Sequence, residues 1–441
     1  VLRNLEASMS IKPFPVAFLV FAWLSIPSAA VNAGGFSNPD TGGRRMGMLS
    51  VVGKPDDVTA IYHNPAGMLL LDGTQLYHGQ SWFFVDLGIR MYDSKGVLHP
   101  DHEIKPKWNV GLVPFFGATS DLGTEDWRVG LAVYAPNAYG AALSDKEPVR
   151  YHATDALFLA SRAAFAVAWK PSERLYLSIG VDLVHVLLWA KRFMNVQVLA
   201  NPDARFNDYE TMKASDAELE INGQDWTWAM NLGLLFLPTD RFSVGISFSG
   251  GSDINMTGDV HLKSPKEGGG TVTESTTQST RFTIPFTLRT GINWEFARDF
   301  EWGFDILFWH YQVLQEQVSV LASPLMGISE FRDPKNYTNC WAWNTGLLHR
   351  IHPDVELMVG YQQDYTPIPT QTYTLDNPTR NSRGISFGSR WQVSKKTRLG
   401  LAFVRNWYEL ADVQDSVSIP PSNVKGYGSN FEVALEVMHQ L

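Results

Sequence analysis

From Thr74 onward the chain keeps returning to a period of two, and nothing else restricts its fold as much. Residues 241–249 put Phe242, Val244, Ile246 and Phe248 on one face and Ser243, Gly245 and Ser247 on the other. Residues 175–183 set Leu175, Leu177, Ile179, Val181 and Leu183 against Tyr176, Ser178, Gly180 and Asp182. Residues 300–308 oppose Phe300, Trp302, Phe304, Ile306 and Phe308 to Glu301, Gly303 and Asp305. Near the C-terminus, Phe431, Val433, Leu435 and Val437 alternate with Glu432, Ala434 and Glu436. Each such segment is a strand with one apolar face and one polar or small face.

A soluble sandwich would bury the apolar faces against each other, whereas a membrane barrel turns them to lipid. Three features favour the barrel. Tryptophans sit toward strand ends, at Trp169, Trp189, Trp294, Trp309, Trp391 and Trp407. The opposite faces are polar or glycine. Short turns at 170–174, 238–241 and 393–397 alternate with long connections such as residues 258–279, as in outer-membrane barrels. The fold class is therefore all-β, a transmembrane antiparallel β-barrel of about fourteen strands over residues 74–441. The strands begin near Thr74, Asn109, Trp127, Leu157, Leu175, Asp225, Phe242, Arg281, Phe300, Ala342, Val355, Ser382, Arg398 and Ser429.

The N-terminus supplies the compartment. Lys12 precedes an apolar run over 16–26, followed by Pro27 and small-residue cleavage patterns ending at Ala30 and Ala33. This reads as a signal peptide over residues 1–33, with the mature chain starting between Val31 and Gly34. No later run approaches the roughly 18 to 20 apolar residues of a spanning helix. Aromatic residues make up 12%, which suits interfacial girdles, and a net charge of -9 argues against a nucleic-acid partner. The single cysteine, Cys340, excludes an intramolecular disulfide framework.

Between signal and first strand, residues 34–73 read as neither helix nor strand. Gly34, Gly35, Gly42, Gly43, Gly47, Gly53, Pro39 and Pro55 crowd the segment, which closes on the turn Asn64-Pro65-Ala66-Gly67. Irregular backbone is tolerated at membrane depth only where it fills or lines a protected cavity. These residues are accordingly expected to form a hatch enclosed by the barrel.

The Ala-Gly-Gly-Phe start and the string Asp56-Asp57-Val58-Thr59-Ala60-Ile61-Tyr62-His63-Asn64-Pro65-Ala66-Gly67-Met68 resemble the FadL-type (FadL/TodX) outer-membrane transporters. Looser likenesses continue at residues 133–140, 230–236, 284–285 and 365–369, although the chain ends on Leu441 where such proteins usually carry Phe or Trp. The resemblance implies a passive channel for long-chain fatty acids or aromatic or aliphatic hydrocarbons, in the outer membrane of a Gram-negative bacterium. It also implies fourteen strands, a hatch that gates the lumen, and a kink in the third strand for sideways release into the membrane.

No catalytic constellation, metal site or cofactor motif rises above background, and no cofactor is expected. His99, His102 and Glu103 have metal-like spacing but no fixed further ligand, so a solvated loop is the favoured reading. Residues 268–277 lack the lysine of a phosphate loop and read as a flexible surface loop. The hatch and ligand pocket are placed at Gly34, Gly35, Phe36, Arg44 and Arg45, where the arginines would pair with lumen acids such as Asp182 or Asp305, the favoured reading, or with a substrate carboxylate. Proline removes a ladder donor within a strand, so Pro136 should either kink the third strand or end it at a loop boundary. The resemblance makes such a kink, with Pro136, Asn137, Tyr139 and Gly140, the candidate lateral opening. The expected partners are a hydrophobic small molecule, outer-membrane lipid and lipopolysaccharide, around a monomer. Two other classes fit an exported barrel: a polar-solute porin and a lipid-directed barrel enzyme.

Overall fold

The computed structural model describes residues 35–99, 103–107, 110–206, 212–266 and 268–441. The expected signal peptide, Gly34, His102 and Asn109 lie outside the described residues. In chain order the first strands are β1 (Thr74–Met91), β2 (Val110–Ser120), β3 (Trp127–Ala142), β4 (Asp155–Ser172), β5 (Leu175–Met194), β6 (Ala217–Thr239) and β7 (Phe242–Ser249). Next come β8 (Ser252–Pro265), β9 (Thr271–Ile284), β10 (Thr287–Ala297), β11 (Phe300–Trp309), β12 (Glu316–Leu325) and β13 (Ile328–Pro334). The last are β14 (Cys340–His352), β15 (Val355–Asp364), β16 (Ser382–Ser394), β17 (Thr397–Tyr408), β18 (Ala411–Val413) and β19 (Val424–Gln440).

All but β8, β9, β12, β13 and β18 join one closed antiparallel ring. It runs β1 to β7 in sequence, then β10, β11 and β14 to β17, and β19 returns to β1 over Gln75↔Gln440 to Met91↔Val424. The ring is the fourteen-stranded barrel that the alternation predicts, and the β1–β19 pairing closes it. The pairs β8/β9 and β12/β13 are hairpins that project from the long-loop rim and join each other through β9 and β12.

Several expected boundaries move. Residues 271–277, read as a flexible loop, are strand β9, and only Gly268, Gly269 and Gly270 turn with positive φ. The strand expected from Arg281 belongs to that hairpin. Proline offers no N–H to a ladder, and after Pro285 the wall strand β10 starts at Thr287. Strand β6 begins at Ala217 rather than near Asp225, because its first turns pair with β8 beyond the ring.

Face assignment follows parity. Ile179, Val181, Leu183, Ile246 and Leu435 point outward and are 43% or more exposed, whereas Asp182, Ser247 and Glu432 are buried in the lumen. Trp127 and Trp169 stack outside, with centroids 5.9 Å apart, beside the short turns. Trp309 is a correction to the girdle reading. It shares parity with Glu301 and Asp305, and it is buried inside the barrel. Position along the pleat outranks residue type.

If this outer face meets lipid, Ile246→Arg should cost roughly 2 to 4 kcal/mol. Urea titration of protein refolded into vesicles measures it, and a cost near zero would place Ile246 outside the hydrocarbon.

Candidate functional site: the hatch and an aromatic pocket

A segment without a long helix or a ladder of its own must send its backbone groups elsewhere. Inside the ring, residues 35–71 make only a short helix (Gly43–Met48), a helical turn (Ala60–His63) and a 3-10 turn (Pro65–Leu70), nearly all buried. The wall supplies the remaining partners. Asp305 accepts from the N–H of Val51 at 2.7 Å and of Val52 at 3.1 Å, and from the Ser50 hydroxyl at 3.0 Å. Ser386 donates to the Gly47 carbonyl at 2.8 Å and Ser243 to that of Gly53 at 2.6 Å. The inward glycines of the wall make this approach possible. A Cβ at Gly346 would lie 1.9 Å from the Met48 carbonyl oxygen, and one at Gly245 would lie 1.9 Å from that of Val52.

The Asn64 turn is anchored on both sides. Its side-chain oxygen accepts from Ala66 N–H at 3.3 Å, and its amide donates to the carbonyls of Val52 at 3.2 Å and Leu234 at 3.0 Å. Leu234 lies on β6, so the turn holds the hatch to β6 as well as preceding β1. Pro65 opens the 3-10 turn, and Ala66 is fully buried. Gly67 is needed for close approach rather than for positive φ, since a Cβ there would lie 2.1 Å from Pro55.

Charges fasten one side of the hatch to the short-turn end of β11 and β14–β16. Arg44 reaches Glu301 at 2.8 Å, Asp56 at 3.1 Å and Asn293 at 2.7 Å. Lys54 reaches Glu301 at 2.6 Å, and Arg390 joins Asp56 at 2.8 Å to Glu356 at 2.6 Å. Arg350 bridges Glu301 and Glu356. Burial pushes the Asp56 carboxyl upward, but Arg390 and Arg44 outweigh it and hold the group well below the usual carboxylate range. Such a group keeps its stabilising charge above the ordinary range and loses it only as pH falls through the depressed value. Arg45 pairs with Asp40 at 2.8 Å. The expected partners Asp182 and Asp305 are engaged elsewhere: Asp182 holds Arg162 at 2.9 Å, and Asp305 receives hatch backbone. The sequence alone could identify inward acids but not which arginine each would meet.

The other end of the hatch is held by aromatic contacts. Gly35 has φ +72, and a Cβ there would lie 2.8 Å from the Tyr311 ring. The Phe36 ring is held edge-on by Phe158 and Tyr311, at 5.2 and 5.1 Å, and tilted against Phe282 at 5.4 Å. Tyr139 stacks on Phe158 at 5.3 Å. A cleft beside Phe36 has an aromatic side, with Tyr139, Phe282 and Tyr337, and a polar side that includes Asp376 and Lys335, the latter paired with Asp333 at 2.6 Å. Phe158, Phe282, Tyr311 and Lys335 were not singled out from sequence. Only the inward parity of Phe158 and Phe282 could have found the first two.

This aromatic end also meets a defect in the wall. Strands β2 and β3 pair only from Phe115↔Tyr134 to Ser120↔Val129, and the β3–β4 register shifts between Tyr134 and Asn137. The bulge contains Ala135 and Pro136, where a ladder donor is missing. The hatch covers it from inside. Asn38 N–H donates to the Pro136 carbonyl at 2.7 Å, Ala138 N–H donates to that of Phe36 at 2.9 Å, and the Asn137 amide donates to Ser37 Oγ at 3.0 Å. Tyr139 belongs to the pocket, while Gly140 sits in ordinary register opposite Leu157.

His99 stacks on Phe206 and Glu103 accepts from Tyr427, so these two serve separate neighbours. Among the described residues no group of histidine, cysteine or acid side chains has the arrangement of a metal site. Cys340 is a buried free thiol.

A closed fourteen-stranded barrel, apolar outside and filled by its own N-terminal segment, defines a class of outer-membrane channels. The family model for the outer membrane protein transport proteins (OMPP1/FadL/TodX) matches residues 24–436, and the chain belongs to that family. It is thus a transport protein of the Gram-negative outer membrane rather than an enzyme, of a family of channels for hydrophobic compounds. In fold it is similar to a FadL homologue of Pseudomonas aeruginosa, with 15% identity and a TM-score of 0.78 over 92% of this chain and 100% of that one. It is also similar to the P. putida toluene transporter TodX, with 16% identity and a TM-score of 0.73 over 93% of this chain and 99% of that one. The CymD monoaromatic hydrocarbon channel gives 14% identity and a TM-score of 0.67 over 93% and 99%. No curated protein matches by sequence.

Removing one member of a buried ion pair leaves its partner uncompensated, at a cost of roughly 3 to 5 kcal/mol. Glu301→Leu should therefore release residues 44–56 from the wall while the ring stays closed. Hydrogen exchange would then show those amides unprotected and the strand amides protected; full protection at both would mean that the charges do not hold the hatch.

Proposed function

We propose that this protein is a passive conduit that receives apolar small molecules from the outer face, holds them in the aromatic pocket and releases them sideways through the β3 bulge. The observation that carries this reading is the double duty of the first hatch residues. Phe36 fills the pocket, and Ser37 and Asn38, its neighbours in sequence, cover the bulge. A guest that displaces Phe36 would take over its contacts with Phe158, Phe282 and Tyr311. The same displacement would withdraw the backbone bonds to Pro136 and Ala138, so pocket occupancy and wall opening become one event.

The energetics suit release as well as capture. Burying an aromatic guest of about 200 Å² contributes about 5 kcal/mol at 25 cal/mol per Å². Losing the burial of Phe36 offsets much of that gain, so exchange lies near balance and needs no energy source. The ligand then shifts a population between covered and uncovered states, and the hatch acts as the gate. The charged side of the hatch stays fixed meanwhile, which supports movement of residues 35–39 over loss of the whole plug.

The printed descriptions of TodX as a toluene transporter and CymD as a monoaromatic hydrocarbon channel support an apolar guest of aromatic type. A long aliphatic tail would meet the same apolar surfaces. Every wall strand has a neighbour on both sides in the closed ring, which supports a monomer surrounded by lipid and lipopolysaccharide. A polar-solute porin would need an open aqueous path where the hatch lies.

Straightening the third strand by Pro136→Val with Asn137→Thr should restore its ladder and seal the wall. Cells carrying that variant should take up radiolabelled toluene several-fold more slowly, with binding to the solubilised protein near the original value. Unchanged uptake in a folded variant would reject lateral exit and redirect the route through the hatch. Swelling of protein-loaded liposomes in sugar solutions would favour the porin instead.

A further inference from the structure

The aromatic pocket has a polar side that its apolar contacts leave unexplained. Beside the rings of Phe36, Tyr139 and Phe282, the cleft is lined by Lys335, Asp376 and Asn377. Asn377 is 4% exposed, and among the described residues its side-chain oxygen Oδ1 has no hydrogen-bond donor. The connection between β15 and β16 fixes it there. Leu375, two residues earlier, is buried in an apolar cluster, and the Asn377 backbone carbonyl accepts from Thr379 N–H at 2.9 Å. Thr372 of the same connection donates through its hydroxyl to the Lys335 carbonyl at 2.6 Å, which ties the two polar walls of the cleft together.

A buried carbonyl oxygen without a donor is costly, and a group that brings an N–H or O–H into the cleft removes that cost. The rest of the polar side selects among such groups. Among the described residues of the lining Lys335 is the only cation, and Asp333 holds it at 2.6 Å. An anionic guest would meet the Asp376 carboxylate with that cation already engaged. A neutral donor meets acceptors instead, at Asn377 and at Asp376 beside it in sequence. The unfilled space of the cleft is about 10 Å³, which suits a hydroxyl-sized group. A ring standing in the place of Phe36 borders that space, so one hydroxyl on the ring could enter it.

We propose that Asn377 is a specificity-determining residue of the pocket, whose Oδ1 accepts a hydrogen bond from a neutral hydroxylated aromatic guest, a phenol, seated in the place of Phe36. This rests on the reading of the pocket as the guest site and names the class of guest that the site ranks highest. A plain hydrocarbon ring would fill the same apolar surface but leave Asn377 without its donor. A site that contains a buried polar group discriminates against the analogue that lacks its partner.

The test compares 4-ethylphenol with 4-ethyltoluene, which are similar in size and differ by hydroxyl against methyl. Equilibrium dialysis of the full chain in lipid nanodiscs, with binding to empty nanodiscs subtracted, would measure both probes. The proteins compared are the original, Phe36→Ala, Asn377→Leu and Asn377→Asp, with folding checked by heat-modifiable gel migration. Asn377→Leu should weaken 4-ethylphenol about 5- to 20-fold, the range of one hydrogen bond to a buried group, and leave 4-ethyltoluene bound as before or tighter. Asn377→Asp keeps an acceptor oxygen and should retain most of the 4-ethylphenol binding. Phe36→Ala should tighten both probes, because no ring then competes for the place. If Phe36→Ala does so while Asn377→Leu leaves 4-ethylphenol unchanged, or weakens both probes equally, the subsite is overturned and the pocket stands. Tighter binding of 4-ethylbenzoate than of 4-ethylphenol to the original protein would also overturn it, in favour of a site read by Lys335. If Phe36→Ala changes neither probe, the pocket reading fails and the subsite fails with it.

Discussion

Everything inside this barrel depends on satisfying the backbone of an irregular segment in a space that water cannot freely fill. Residues 47–53 have too little helix or ladder of their own, so the wall must meet their N–H and carbonyl groups. Asp305, Ser386 and Ser243 do so with side chains, and Gly346 and Gly245 do so by leaving out a Cβ. The polar and glycine residues of the inner face are thus a mould for one particular chain path rather than the lining of an open pore. The alternation that builds the barrel and the composition that seats the hatch are two aspects of the same pattern.

The hatch is held by different physics at its two ends. Around Arg44 and Asp56, charges are buried in pairs, and pulling one away strands its partner in a medium of low dielectric. Around Phe36 the contacts are aromatic, directional only loosely, and similar to those that an apolar guest would make. Local stability is therefore graded along one short segment, and the end that is easier to exchange is the one that covers the wall defect. Such a gradient would suit the proposed gate, in which one end of the plug moves while the other stays fixed.

Passive movement of an apolar compound also demands that no site bind it too well. A pocket that already contains Phe36 meets this condition through competition, since a guest's gain is measured against a residue of similar shape. Shape and burial would then set how strongly a guest is held.

The sequence by itself determined the strand faces and the closed barrel, because a period of two repeated along a chain with no spanning helix leaves few ways to satisfy backbone and lipid together. It also determined that residues 35–71 are enclosed, since their glycines, prolines and the Asn64-Pro65 turn suit no surface strand. Only the tertiary structure decided which groups meet. Glu301 and Asp305 were legible as inward acids, yet their partners lie about 250 residues away in sequence: Arg44 for one, hatch N–H groups for the other. Trp309 looked like a girdle residue and proved internal, because its parity and not its type sets its face. Pro136 marked a weak point in β3, but its cover by Phe36 and Asn38 depends on where the hatch enters the ring. A one-dimensional pattern cannot express who faces whom across a closed barrel.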